Sequence, residues 1–565
     1  MGVLITIISR VFSLFAPRLI GDSLTAVENF LTNHQGDLAM LKTLLIKNIL
    51  IIIGATLLSG FFTFLMRQTI INVSRYIEFD LKNEIFSYYQ KLSQRFYKNN
   101  RTGDLMNRIS EDVSKVRMYV GPAIMYSINT VTLFICVITI MFSIAPKLSV
   151  YTLIPLPLLS FTIYKLSRVI NMRSTAVQEM LSNLSSYTQE TFSGISVIKS
   201  YSMESIFYKK FDHFALESKE KNMNLVKVQA WFFPLMILLI GLSNLIVIFI
   251  GGQQYISGEI EIGVLAEFII YINMLTWPVA VVGWVTSVVQ QAEASQKRIN
   301  AFLNEPIEIK DGSGVDVIIK GEITLENITL IYPETKIKAL DGINLKIESG
   351  KSLGIIGKVG SGKSSLLNII NRLYDPNTGK VLLDGYDIRK FKLEKLRSYI
   401  GNIPQNAFLF SESIQDNIRL GKVDATDLEI QQACKTAAIH KSIIKFKDGY
   451  QTLLGERGLT LSGGQIQRVS IARAIIKDTE ILLLDDCLSA VDTDTEEIIL
   501  KNLKNYSQNK TTIIVSHRIS SVKNTDHIVV LDQGKIIEQG DHQKLYNLKG
   551  FYYDLFNKQQ NEKEY

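Results

Sequence analysis

Cysteine is scarce in this chain. Only Cys136, Cys434 and Cys487 occur in 565 residues, far apart and without metal-site spacing. That excludes a disulfide framework and a zinc site, and it suits cysteines facing a reducing compartment. A cleaved leader is not expected either. Arg10 and Arg18 interrupt the first apolar run and no small-x-small site follows it, so the start reads as a membrane helix. Met1-Gly2-Val3-Leu4-Ile5-Thr6 fits a myristoylation pattern, but so short a pattern matches by chance too readily to carry a modification. There is no basic block either. The formal charge of +7 is dispersed, which argues against nucleic acid as partner and leaves membrane topology to account for it.

Apolar residues, by contrast, are abundant. At 47% of the chain, with a mean hydropathy of +0.16, they exceed what a soluble enzyme needs. A membrane helix takes about 20 mostly apolar residues. Six segments qualify: Val3–Ile20, Leu44–Met66, Pro122–Ala145, Leu148–Tyr164, Trp231–Ile256 and Ile262–Val289. The third and fifth contain no charged residue. The fourth is short, but Lys165 and Arg168 can snorkel and extend it.

Charge then orients the connections. The segment after the first span is acidic up to Lys42, and the loop after the fifth offers only Glu259 and Glu261. The long connections Arg67–Gly121 and Lys165–Ala230 carry more Lys and Arg than Asp and Glu. Basic residues near membrane ends favour the cytoplasm, so both long connections and both termini are expected there. Ile85, Tyr88, Leu92 and Phe96 suggest that the helices run on beyond the bilayer. Breaks are expected at Arg101–Asp104 and near Met203–Phe211.

Beyond Phe302 the character changes. Residues 304–317 include Pro306, Gly312 and Gly314 and read as a linker between a membrane domain (1–303) and a second domain (318–565). In the latter, strands alternate with helices, as in an α/β domain around a largely parallel sheet. The polar tail from Lys558 is expected to fray.

Gly357-Lys358-Val359-Gly360-Ser361-Gly362-Lys363-Ser364 fits G-x-x-x-x-G-K-[ST] between the apolar strand Leu353–Ile356 and a helical run. This is a P-loop in its required context. Its backbone N–H groups wrap phosphate oxygens at a helix N-terminus, Lys363 reaches the β- and γ-phosphates, and Ser364 serves Mg²⁺. The strand Ile481–Leu484 ends on Asp485 and Asp486. The carboxyl ends of such strands face the ligand crevice, so Asp485 is expected to hold Mg²⁺ and Asp486 to orient the attacking water.

Between these motifs lies Leu461-Ser462-Gly463-Gly464-Gln465, which alone would be an ordinary helix cap. At this distance from a P-loop it resembles the signature motif of the ATP-binding cassette (ABC) family. The resemblance spans nearly the whole chain. It implies that Tyr332 stacks on adenine, that Gln405 is the Q-loop residue near metal and water, and that Ser489-Ala490-Val491-Asp492 is the D-loop. By the same resemblance, His517 is the switch histidine at the γ-phosphate. Gly360, Ser361 and Ser365 join the P-loop contacts, and Ser462, Gly463, Gly464 and Gln465 contact nucleotide across a dimer. Gly455-Glu456-Arg457-Gly458 is similar to a loop of ABC exporters. FYKNNRTGDLMNRISEDV and ETFSGISVIKSY resemble their intracellular loops, whose short coupling helices meet the cassettes.

The resemblance therefore implies an ATP- and Mg²⁺-dependent half-transporter in a bacterial inner membrane. It would work as a dimer and export amphipathic molecules or lipids from the cytoplasm or inner leaflet. An ATP-gated channel or a regulatory sensor is the alternative. Two departures stand out. The family's short elbow helix does not fit ahead of the first span, so either it is dispensable here or the true start is expected upstream of Met1. And Asp486 replaces the usual Glu, so this chain's own site is expected to be slow, which favours a heterodimer over a homodimer of two slow or adapted sites. Trp277, Trp284 and Tyr271 form either an aromatic wall or ordinary helix packing.

Overall fold

Long apolar runs become six helices, each long and apolar enough to cross a membrane. The computed structural model describes residues 1–32, 38–455, 458 and 461–561. In chain order the spans are α1 (Gly2–Thr32), α2 (Leu38–Lys91), α4 (Thr102–Ile144), α5 (Pro146–Ser193), α7 (Glu204–Ile256) and α8 (Ile262–Leu303). Two short helices interrupt them, α3 (Gln94–Asn99) and α6 (Ile195–Ser200). The second break falls at Tyr201–Met203, just ahead of the expected stretch, because α7 already begins at Glu204.

The chain folds as two units. One comprises Met1–Gln90 with Thr102–Glu305, the other Lys91–Arg101 with Pro306–Tyr565. The division in space thus reaches back into the first long connection. In the first unit, Leu14, Val137, Met141, Phe268, Tyr271 and Leu275 share a buried core. Two π turns, Arg108–Asp112 and Tyr119–Ala123, lie within α4, and the second accommodates Pro122. An extra residue per turn removes the clash that a proline ring causes in a regular helix.

The second unit contains two sheets. A smaller antiparallel one has the order β2-β1-β4-β5: β1 (Ile323–Ile331), β2 (Lys338–Ile347), β4 (Thr378–Leu383) and β5 (Tyr386–Asp387). The larger has the order β10-β9-β3-β8-β7-β6. Its strands are β3 (Ser352–Gly357), β6 (Ile400–Ile403), β7 (Ile481–Asp485), β8 (Thr511–Val515), β9 (His527–Asp532) and β10 (Lys535–Gly540). All its pairings are parallel except β9–β10. Ile481–Leu484 and Leu353–Gly357 are buried throughout, as strands covered on both faces must be. Parallel pairing places the carboxyl ends of β3, β6, β7 and β8 along one edge.

The tail departs from expectation. As far as Asn561 it is helical, Phe551–Asn561, rather than frayed; the remainder of the expected fray, 562–565, lies outside the described residues. Tyr552 is fully buried, and its hydroxyl lies 2.7 Å from His542 Nδ1. The aromatic residues ahead of Lys558 anchor the polar turn that follows them.

Candidate functional site

The first element of the site is the turn between β3 and α9 (Lys363–Ile370). Gly362 has φ of 101°, and a Cβ there would strike the Ala339 carbonyl; only glycine takes that conformation cheaply and permits that approach. The turn aims Lys363 back over the loop, where its Nζ donates to the carbonyls of Gly357 (2.9 Å) and Lys358 (2.8 Å). Ser361 is buried beside it. The Ser364 hydroxyl donates to Asp485 Oδ1 at 3.0 Å, joining the P-loop to the end of β7.

Burial sets the electrostatics. It lowers the Lys363 pKa, against the pull of Asp486 and Asp485. It raises the Asp485 pKa, with the Asp486 charge adding and Ser364, Lys363 and His517 opposing. Each charged form is thus penalised by desolvation, and each gains from a ligand of opposite sign. A phosphate suits Lys363 and a divalent cation suits the Ser364–Asp485 pair. Hydroxyl, single carboxylate and glycine-lined turn together fit Mg²⁺-ATP.

Asp486 is held unusually. Its φ is 43°, in the left-handed region, where Asp is better tolerated than most side chains. Its N–H donates to the Val515 carbonyl (2.9 Å), and its own carbonyl accepts from Ser489 Oγ (3.0 Å). The backbone is therefore fixed from both sides. His517 lies half-buried two residues past β8. Its carbonyl accepts from Gln559 Nε2 (2.8 Å), and Ile519 N–H donates to Gln559 Oε1 (2.8 Å). The next residue, Arg518, donates to the buried Glu496, which also accepts from Ser521 Oγ (2.7 Å).

The remaining candidates lie further out. The Tyr332 hydroxyl sits 3.0 Å from Ser365 Oγ, and its ring meets Tyr374 edge-on. Gln405 is exposed two residues past β6; among the described residues no hydrogen bond ties its side chain to Ser364 or Asp485. Ser462 caps α11 (Gly463–Ile475) through a reciprocal box with Gln465. Gly464 lies so close to the D-loop that a Cβ would sit 2.8 Å from the Ala490 carbonyl. Among the described residues, no hydrogen bond joins 462–465 to the P-loop. Glu456 and Arg457 of the exporter-like loop lie outside the described residues.

One structural support escaped the motif reading, and a second was expected without its partners. Gln467 Nε2 donates to Ser489 Oγ (3.3 Å) and Gln467 Oε1 accepts from Ala490 N–H (3.1 Å), binding α11 to the D-loop. The α3 segment packs within the cassette unit. Arg95 pairs with Glu308 (2.6 Å) and with Glu334, which also accepts from Asn99 Nδ2 (2.9 Å). Lys98 lies over the rings of Tyr332 and Tyr374. Residues 96–99 fall within the stretch whose resemblance to an intracellular loop implies a helix that meets the cassette; what that resemblance leaves unnamed is the partners, Glu308, Glu334, Tyr332 and Tyr374.

Family models, curated proteins and a solved structure match this chain. Residues 1–279 match the family model for the ABC transporter transmembrane region, and residues 340–489 match that for the ABC transporter. The chain is 36% identical over 503 residues to the multidrug resistance-like ATP-binding protein MdlA of Buchnera aphidicola subsp. Schizaphis graminum, covering 89% of this chain and 87% of that protein. It is 36% identical over 483 residues to the probable multidrug resistance ABC transporter ATP-binding/permease protein YheI of Bacillus subtilis, covering 85% and 82%. A solved bacterial Atm1-family ABC exporter with ATP bound superposes with a TM-score of 0.82 at 25% identity, covering 99% and 97%.

Proposed function

The chain belongs to the ABC transporter family as an exporter half-transporter, and from that premise we propose that two such subunits close around ATP to move amphipathic cargo outward. The protein is a multi-pass bacterial membrane protein built for ATP-driven transport. Cassette and termini face the cytoplasm, where the basic connections lie. Cargo enters from the cytoplasm or the inner leaflet, in keeping with relatives named for multidrug resistance.

One observation carries the two-subunit reading. The signature turn is fastened to its own D-loop, through Gly464 against Ala490 and Gln467 on Ser489, and not to its own P-loop. Its capped N-terminus supplies anion-binding N–H groups, and these complete a site on a neighbouring subunit. The P-loop of this chain, with Lys363, Ser364, Asp485 and Asp486, awaits the neighbour's signature in turn. Mg²⁺ would be held by Ser364, Asp485 and Gln405, where it neutralises developing phosphate charge. Tyr332 stacks on the adenine and His517 meets the γ-phosphate. The α6 helix, with Ile195, Val197 and Tyr201 exposed, docks on the partner's cassette and passes closure to the spans.

Asp486 in place of Glu makes this chain's own P-loop site slow, while the intact signature completes a fast one opposite. A heterodimer follows. The test uses this chain free of native cysteines and carrying Ser462→Cys, paired with its co-purifying partner subunit carrying a cysteine in its own P-loop; a second form of this chain carries both Val359→Cys and Ser462→Cys. A disulfide between the two different chains on trapping with ATP and vanadate is the expected result. A crosslink confined to one doubly substituted chain overturns the sandwich. Purification of the tagged chain from its source membrane decides the second point: a stoichiometric, different half-transporter is expected, and recovery of this chain alone refutes heterodimerisation.

A further inference from the structure

We propose, resting on the exporter reading above, that the transmembrane unit selects cargo carrying an anionic head group, with Arg10 as the charge that recognises it.

Arg10 lies within the first span, Gly2–Thr32, about 13 Å along the helix from Met1. Arg10, Leu14, Pro17 and Gly21 recur at steps of three and four, so they share one helix face. Leu14 belongs to the transmembrane core, Pro17 and Gly21 are buried, and Gly21 backs directly onto Gly263 of α8. That face looks into the bundle. On it, Arg10 Nε donates to the Asn129 side-chain carbonyl of α4. The partner is a neutral amide, and among the described residues no carboxylate stands within ion-pair distance of Arg10. By contrast, Arg372, buried in the cassette unit, has a carboxylate partner in Asp375 at 3.1 Å.

An intramembrane guanidinium without a counter-charge is costly, and helix packing alone would be served by a neutral residue. Snorkelling does not account for it, since Nε is already engaged inside the bundle. Its Nη groups form the fork that a carboxylate, sulfonate or phosphate matches.

The surroundings supply a place for the rest of the ligand. One turn from Asn129, Tyr126 meets Trp284 of α8 edge-on with centroids 5.7 Å apart. Trp284 also borders a cavity of about 500 Å³, lined further by Met118, Ser287, Gln291, Glu111 and Lys115. Glu111 and Lys115 pair with each other at 3.4 Å, so the cavity itself carries little net charge. An amphiphile can thus pass a near-neutral vestibule, lay its apolar body on Tyr126 and Trp284, and seat its anion on Arg10 and Asn129. Free anionic amphiphiles and anionic phospholipids share this chemistry.

The experiment measures ATP-dependent uptake of taurocholate (anionic) and ethidium (cationic) into proteoliposomes of pure phosphatidylcholine, using the full chain with whatever subunit co-purifies. Taurocholate is expected to be preferred. Arg10→Gln should reduce the taurocholate-to-ethidium ratio by roughly tenfold or more; Arg10→Lys should restore part of it, and Asn129→Ala should give a smaller loss. A ratio is independent of how much variant folds. Adding phosphatidylglycerol separates the sources: competition with taurocholate, together with movement of labelled phosphatidylglycerol, identifies the lipid, and unchanged uptake identifies the free amphiphile. An unaltered ratio in Arg10→Gln overturns the inference and leaves the exporter reading intact. Failure of the parent protein to accumulate either probe while hydrolysing ATP overturns both.

Discussion

Lengthening Asp486 by one methylene, in Asp486→Glu, changes the reach of a single carboxylate on a fixed backbone. The Val515 carbonyl and the Ser489 hydroxyl hold that backbone from both sides, so the side chain alone decides where the carboxylate lies. One carbon–carbon bond is about 1.5 Å, and a misplacement near 1 Å costs on the order of 10²-fold where near-attack geometry matters. That corresponds to about 2.7 kcal/mol of barrier. The expected result is a rise in kcat between roughly tenfold and 100-fold. Against it stands the left-handed φ of 43°, which Glu accommodates less readily than Asp, at roughly 1 kcal/mol of local stability. That penalty falls on folding and leaves the chemical step alone.

The assay is phosphate release at saturating Mg²⁺-ATP from the full chain in nanodiscs, with Asp486→Asn setting the floor. Nucleotide affinity measured in parallel should hardly move, because Lys363 and the P-loop are untouched. Two results would refute the reasoning. One is parent turnover equal to that of the Glu variant. The other is an Asn variant as fast as the parent, which would remove Asp486 from the water-orienting role altogether.

Three further outcomes follow from the geometry. Gly464→Ala places a Cβ 2.8 Å from the Ala490 carbonyl, an overpacking of about 1–3 kcal/mol, and should cut ATPase activity at least about tenfold while nucleotide binding to the chain's own P-loop persists. Gln559→Ala removes the two bonds that tie the His517 segment to the C-terminal helix and should lower kcat several-fold without moving the nucleotide KM; an unchanged kcat would show the C-terminal helix to be irrelevant to the switch. The Glu334 carboxyl is held down to about 2, by the hydrogen bond from Arg95 first and that from Asn99 next. A depressed carboxylate contributes above its unfolded value and loses that contribution as pH falls towards the folded one, so hydrogen-exchange protection of Gln94–Asn99 should be flat above about pH 5 and decline from there towards pH 2, whereas Arg95→Gln should lower it throughout.

Much of the molecule could be read locally. The six spans are long apolar runs, and a bilayer filters such runs with little help from tertiary context. The P-loop and the Ile481–Asp485 strand are likewise short, contiguous and chemically constrained. What escaped depends on residues distant in sequence. Lys91–Arg101 overlaps a loop expected to meet the cassette, but its partners Glu308 and Glu334 lie over 200 positions away. Gln467 resembles any polar helix residue until Ser489 and Ala490 lie beside it. The tail reads as frayed because Lys558-Gln559-Gln560-Asn561 is polar, yet buried Tyr552 and the bonds of Gln559 to the His517 segment make it part of the site. The left-handed backbone of Asp486 has no sequence signature at all, since an Asp after a buried strand is compatible with several turns.

The D-loop connects the two roles of the chain. Ser489 Oγ bonds both the Asp486 carbonyl and Gln467 Nε2, and Ala490 offers its N–H to Gln467 and its carbonyl to the close approach of Gly464. Were the signature turn to shift on engaging nucleotide in the proposed pairing, the shift would reach Asp486 through three residues and two hydrogen bonds, with no loose segment between. In the paired arrangement proposed above this has a mechanical consequence. A slow P-loop site retains its triphosphate and keeps one side of the sandwich shut, while the site completed by this signature cycles. The state of the fast site is then felt at Asp486 each time the signature engages or withdraws. A short carboxylate on a rigidly tied backbone can thus serve as a stop that holds the subunits together between turnovers, a role in which a fast carboxylate would be a disadvantage.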